Sequence, residues 1–261
     1  MRTALVTGAA RGIGAATVQR LAASGHHVVA LDWCIGDDLS PCLPYAQATR
    51  ADLESLATAY DGQVLPLIAD VRDPDALTQG VDLALERTGR LDTVVAAAAV
   101  ITGGTPLWKS DPAAMELMWD INVRGVWNTA AATVPALLSN PDPSGCRFVA
   151  IASTAGEHGL FHLAGYSAAK HAVIGIVKGL AADLVGTGIT ACAVSPGSTN
   201  TAMLTATAHL YDIDTTELAN HQLLRRALTP DEIAATITFA CSPEGAVLNG
   251  SVINADGGFI R

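Results

Sequence analysis

Tyr166 and Lys170 stand four residues apart in Tyr166-Ser167-Ala168-Ala169-Lys170, a spacing that puts both side chains on one face of a helix. A phenol with an ordinary pKa near 10 is a poor base at neutral pH, but a neighbouring ammonium favours its phenolate. Such a pair can move a proton to or from an alcohol. Ser153 ends an apolar run, Phe148-Val149-Ala150-Ile151-Ala152, and offers a hydroxyl that can hold a substrate oxygen. Asn122, inside a helical pattern, is an amide in a place that disfavours one without a local role, and it can hold a water that relays protons from Lys170.

A second group of residues has the makings of an anion seat. Thr7-Gly8-Ala9-Ala10-Arg11-Gly12-Ile13-Gly14 joins a short strand pattern to a helical one. Glycines there allow a tight turn and close approach of backbone to a diphosphate, and the helix N-terminus adds unpaired N–H groups and a positive dipole end. The spacing is GxxxGxG rather than the common GxGxxG. Asp32, with Trp33 after it, closes the next strand pattern, where a carboxylate can accept both hydroxyls of an adenosine ribose and repel a 2′-phosphate. That favours NAD over NADP, although Arg11 could meet a 2′-phosphate.

These residues need a scaffold, and the chain supplies a regular one. Short apolar strand patterns (3–7, 28–31, 64–69, 93–97, 147–152, 190–194, 251–254) alternate with helical windows (13–24, 51–60, 74–88, 112–138, 164–185, 230–240). Most strand patterns are continuously apolar, as for strands covered on both faces. Gly25 reads as a helix terminator, and Asp111-Pro112 and Thr229-Pro230 as helix starts. The expected fold is α/β: one Rossmann-type, doubly wound parallel sheet of about seven strands, with helices on both faces, in a single domain over 1–261. Two segments break the rhythm. Residues 33–49 form a long insertion beside the cofactor seat, and 198–223 an ordered loop serving as a substrate lid.

With 261 residues, half hydrophobic and 15% charged, the chain can bury a large core. A net charge of −10 with no basic run argues against nucleic acid and anionic membranes. No apolar stretch has the length of a membrane span or a signal peptide, so a soluble cytoplasmic protein is expected. The five cysteines are scattered, and neither they nor the histidines have metal-ligand spacing; reduced, mostly buried thiols and no metal are expected. His171 points about 100° around the helix from Lys170, a packing or surface position. His158 and His162 can border the substrate site, as can Met203, Leu204, His209, Leu210 and Tyr211.

Taken in order, Thr7-Gly-x-x-x-Gly-x-Gly14, Asp32, Asp70-Val71, Asn122, Ser153, Tyr166-x-x-x-Lys170, Pro196-Gly197 and a late Asp256-Gly257-Gly258 resemble the short-chain dehydrogenase/reductase family over nearly the whole chain. The resemblance implies an alcohol–carbonyl oxidoreductase: Ser153 holding the substrate oxygen, Tyr166 as acid and base, Lys170 tuning Tyr166 and anchoring a ribose. It also implies adenine contacts at Asp70 and Val71, cofactor contacts at Ala97 and Ala98, and a nicotinamide seat at Pro196, Gly197, Thr199 and Thr201. Where the family usually has Asn-Asn-Ala-Gly, this chain has Ala96-Ala97-Ala98-Ala99.

The insertion after Asp32, Ala169-Lys170-His171 and Pro196-Gly197-Ser198-Thr199-Asn200-Thr201 are similar to the mycofactocin-associated subgroup, which includes carveol-dehydrogenase-like enzymes. That likeness implies a small hydrophobic alcohol or carbonyl substrate, tightly held NAD and an external redox carrier that reoxidises it. The family implies a homotetramer or homodimer built on long central helices. Two alternatives remain at this point: an NADPH-dependent 3-oxoacyl-type reductase, and a cofactor-binding regulator without catalysis.

Overall fold

The computed structural model describes residues 2–36, 43, 45–60 and 62–260. Seven parallel strands form one sheet: β1 (Thr3–Thr7), β2 (His27–Asp32), β3 (Val64–Ile68), β4 (Thr93–Ala96), β5 (Arg147–Ile151), β6 (Thr190–Pro196) and β7 (Val252–Ala255). Their order is β3-β2-β1-β4-β5-β6-β7. The chain therefore reverses its winding between β1 and β4, and such a switch point opens a crevice at the carboxyl ends of the strands. β1, β4 and β5 are buried at every residue, which explains their unbroken apolar patterns.

Helices cover both faces. On one side α1 (Gly12–Ala23), α2 (Arg50–Ala59) and α9 (Pro230–Ala240) pack through Val18, Leu21, Leu53, Leu56, Ile233 and Ile237. On the other, α3 (Pro74–Thr88), α5 (Gly125–Leu138) and α6 (Ala164–Asp183) pack through Val81, Ala84, Val126, Val173 and Val177 around the fully buried Phe148. The starts read from sequence carry their capping bonds. Asp111 accepts from the Ala113 N–H, and Thr229 and Glu232 close a reciprocal capping box. Gly25, at φ +88°, follows the end of α1.

Two expectations need correction. The helix expected over 112–138 is not continuous: α4 (Pro112–Trp119) passes into α5 through a π turn at Asp120–Arg124. The segment 198–223 is not a loop, since it holds α7 (Ala202–Tyr211), capped by Thr201, and α8 (Thr215–Ala219), capped by Asp214. The insertion 33–49 lies partly outside the described residues, at 37–42 and 44. Its neck is held by two backbone bonds: the Gly36 N–H to the Ala48 carbonyl at 2.8 Å, and the Gln47 N–H to the Gly36 carbonyl at 3.0 Å. Leu43 is fully buried against Leu31, Val71, Leu77, Val100 and Ile121, which pins the insertion to the sheet's end.

Candidate active site

The phosphate turn has the form that its glycines demand. Gly8 and Gly12 have φ of +66° and +57°. A Cβ on Gly8 would lie 2.7 Å from the Ala98 backbone, and one on Gly14 would lie 2.0 Å from the Gly8 carbonyl oxygen. Both positions therefore require glycine. No side chain caps the first turn of α1 among the described residues, and that turn holds no acidic residue. Its N–H groups and positive end thus suit a diphosphate. Asp32, at the end of β2, is aimed by two backbone donors: Ala10 N–H reaches Oδ2 at 3.0 Å and Cys34 N–H reaches Oδ1 at 3.2 Å. The donors, the glycine cradle and the carboxylate together fit a dinucleotide without a 2′-phosphate.

Beyond Asp32, the Arg72 guanidinium lies 4.3 Å over the Trp33 ring. Asp70 takes the Arg72 N–H at 2.9 Å and its Nε at 2.8 Å. Asp70 lines the cavity with its carboxylate already engaged, so Arg72 belongs to this corner although the sequence reading left it out.

The alanine run is held by neighbours on both sides. Thr7 Oγ1 accepts from Ala97 N–H at 3.1 Å and Ala98 N–H at 3.3 Å. Asn122, fully buried, accepts the Val100 N–H at 2.8 Å and donates its Nδ2 to the Val100 carbonyl at 2.8 Å. The Asn122 side chain thus braces the strand-end segment through two bonds to Val100.

Ser153, Tyr166 and Lys170 meet at the carboxyl end of β5. Ser153 caps a short 3-10 turn at Thr154–Gly156, accepting from Ala155 N–H at 3.2 Å. Tyr166 and Lys170 lie on α6, 6% and 2% exposed. Lys170 Nζ donates to the Ile151 carbonyl at 2.7 Å and sits 5.8 Å from the Tyr166 ring centre. Burial pushes the Tyr166 phenol well up; the hydrogen bond from Ser153 works against that, and the neighbouring Tyr45 adds to it. Burial alone brings Lys170 down to about 7. Burial thus favours the uncharged form of both groups.

One cavity of about 1280 Å³ joins these parts. Gly8, Arg11, Gly12, Ile13, Gly14, Asp32, Trp33, Asp70, Val71, Ala97 and Ala98 line it at one end, with Ser153, Tyr166 and Lys170 at the other. Pro196, Gly197, Thr199 and Thr201 also line it, whereas Asn122 stands behind the wall. From α7 come Met203, whose sulfur takes the Tyr166 hydroxyl at 3.8 Å, and Tyr211, whose hydroxyl bonds the Phe161 carbonyl. His158 lines the cavity and stacks on Phe259, with ring centres 5.5 Å apart; His162 and His209 do not line it. His171 bonds the Ser167 carbonyl through Nδ1 at 2.8 Å, on the outer face of α6. Phe259 and Tyr45 were missed from sequence, because each reaches the site only through distant pairing. No cluster of potential metal ligands occurs among the described residues, and no helix among them is long and apolar enough to cross a membrane.

Comparison with known proteins agrees with this geometry. Residues 8–260 match the family model described as enoyl-(acyl carrier protein) reductase. An uncharacterised NAD-dependent oxidoreductase of Mycobacterium tuberculosis is 32% identical over all of this chain and 96% of its own length. The crystal structure of carveol dehydrogenase from Mycobacterium avium in complex with NAD superposes with a TM-score of 0.90 at 32% identity, covering 98% of this chain and 96% of that one. A short chain dehydrogenase from Mycobacterium paratuberculosis bound to NAD follows at 0.87 and 32%, covering 98% and 97%. With the parallel sheet, the glycine turn and the Ser153–Tyr166–Lys170 cluster, these matches establish that the chain belongs to the short-chain dehydrogenase/reductase family of oxidoreductases.

Proposed function

We propose that this oxidoreductase uses NAD to interconvert a small or medium hydrophobic alcohol, secondary or primary, and its carbonyl compound. The observation that carries this reading is the buried Tyr166 phenol, bonded to Ser153 and flanked by Lys170 in the same cavity as the glycine turn. NAD supplies the hydride acceptor for oxidation and its reduced form the donor for reduction. In oxidation, Tyr166 Oη takes the hydroxyl proton as the carbinol hydrogen leaves as hydride; in reduction it returns the proton to the carbonyl oxygen. Ser153 Oγ steadies the reacting oxygen. Lys170 stabilises the phenolate when charged and anchors the nicotinamide ribose. Asp32 binds the adenosine ribose, and Pro196, Gly197, Thr199 and Thr201 seat the nicotinamide end. The NAD named with similar mycobacterial proteins supports the cofactor.

The insertion beside the cavity and the likeness to carveol dehydrogenase support tightly held NAD, reoxidised by an external carrier such as mycofactocin. Trp119 and Trp127, exposed on α4 and α5, support a homodimer or homotetramer mated through these helices, and a cytoplasmic setting suits the free thiols. The likeness to a putative ketoacyl reductase of the monensin polyketide synthase from Streptomyces virginiae, 36% identical over 98% of this chain, supports a second reading, a reductase of 3-oxoacyl thioesters. It predicts reduction of a 3-oxoacyl thioester and tighter binding of NADPH than NADH, which calorimetry with both cofactors separates.

Replacing Tyr166 with Phe tests the first reading. Alcohol oxidation should fall roughly 100- to 10,000-fold while calorimetric NAD affinity stays nearly unchanged. Full turnover in that variant would overturn the mechanism.

A further inference from the structure

The segment after β7 returns the chain to the cavity and runs beside the residues that follow α8. Leu224 N–H donates to the Gly257 carbonyl at 3.1 Å, Leu223 N–H to the Gly258 carbonyl at 2.8 Å, and Ile260 N–H to the His221 carbonyl at 2.7 Å. Phe259 is thereby paired antiparallel with Gln222, and backbone bonds rather than its side chain hold it in place. Its ring lies outside the four apolar clusters of the interior formed by the described residues. It lines the cavity instead, together with two imidazoles. The His158 ring stacks on it at 5.5 Å with 17° between planes, and the His221 ring is tilted against it at 6.3 Å and 33°. His158 in turn follows the short turn that Ser153 caps, and its N–H donates to the Thr154 carbonyl at 3.0 Å. The three rings thus make a wall joined to the turn that carries Ser153, while Leu160, Leu163, Met203 and Leu218 add apolar surface to the same cavity.

We propose that Phe259 is a specificity-determining residue of the reaction, selecting alcohols whose carbinol carries a planar, unsaturated ring. Aromatic rings attract one another through a negative face and a positive edge, in offset or edge-to-face pairs. A saturated ring of the same bulk buries similar area but cannot make that pairing. The proposal rests on the oxidoreductase reading above and narrows its substrate class.

The test compares 1-phenylethanol with 1-cyclohexylethanol, which share the carbinol and differ in the ring. Affinity for each is measured by calorimetry on NADH-loaded protein, where neither can be oxidised, and initial rates are measured separately with NAD. Phe259→Leu and Phe259→Met remove the ring and keep apolar bulk; Phe259→Tyr keeps the ring, and melting curves show that each variant is folded. The unaltered protein should bind 1-phenylethanol the more tightly. Phe259→Leu and Phe259→Met should weaken that alcohol about fivefold and the cyclohexyl one by no more than about twofold, while Phe259→Tyr retains the preference. In turnover, half-saturation should follow affinity at an unchanged maximal rate. Equal losses for the two alcohols, no change for either, or no binding of either overturns the proposal. Binding that follows the ring without oxidation of either alcohol counts against the proposed activity and leaves the role of Phe259 supported. Oxidation of both without discrimination does the reverse.

Discussion

Lys170 donates to the carbonyl of Ile151 at 2.7 Å, on the strand that delivers Ser153, while its nitrogen stays 5.8 Å from the centre of the Tyr166 ring. The lysine is thus tied to the sheet rather than directly to the phenol it serves. Fixed there, its nitrogen is placed between the Tyr166 side and the β5 end without having to move.

Lys170→Met should stabilise the dinucleotide-free protein, most strongly at low pH. The folded state holds Lys170 near 7 against an ordinary value of 10.5. Below about pH 7 both states are charged, so the full cost of burial is present. Between 7 and 10.5 the unfolded chain binds the extra proton, and rising pH relieves that cost. Thermal melts at about pH 6 and about pH 9 should show a gain of a few kcal/mol shrinking to roughly half or less. An equal gap at both would contradict the depressed lysine.

Asn122→Ala should cost roughly 2–4 kcal/mol, because it strands the Val100 N–H and carbonyl in the interior. Urea denaturation measures it directly. A loss below 0.5 kcal/mol, on the order of a surface change, would mean that Val100 finds other partners.

Gly14→Ala should abolish dinucleotide binding, since its Cβ would fall 2.0 Å from the Gly8 carbonyl oxygen. Gly175→Ala on α6 is the control: its Cβ meets nothing within 4 Å, and a gain of about 0.4–1 kcal/mol is expected. Calorimetry and melting curves on both variants separate a local clash from general fragility.

Asp32→Ala should weaken NAD about 10- to 100-fold and shift preference towards NADP, because the lost carboxylate both accepts from the ribose and repels a 2′-phosphate. Parallel titrations with the two dinucleotides check it. An unchanged preference would move cofactor selection to Arg11.

What could be read in the chain beforehand was whatever a short window encodes. The glycine turn, the apolar strands and the Tyr166–Lys170 spacing are local patterns, and each is found where its pattern put it. Asn122 was visible as an oddity, but its two bonds to Val100 depend on a segment 22 residues away. The π turn was not legible because Asp120–Arg124, weak helix formers apart from Arg124, continues the helical pattern without a Gly or Pro to mark a break. Helices α7 and α8 were overlooked because they are short: in α7 the Ala, Leu and Met residues that favour helix are interleaved with Thr205 and Thr207, and α8 is only five residues long and opens on Thr215-Thr216. The partnership of Tyr45 with Ile101 joins residues 56 apart across a loop with no period to read.

The π turn at Asp120–Arg124 gives the central helix a place where its length can change at little cost. Such a turn holds one residue more than a regular helix needs, and the helices on either side stay nearly in phase because the bulge absorbs it. Deleting one of those five residues would leave an uninterrupted helix with α4 and α5 close to their present faces, provided that Asn122 keeps its two bonds to Val100. A deletion elsewhere in α4 or α5 has no such slack and should turn one part of the helix by about 100° against the other.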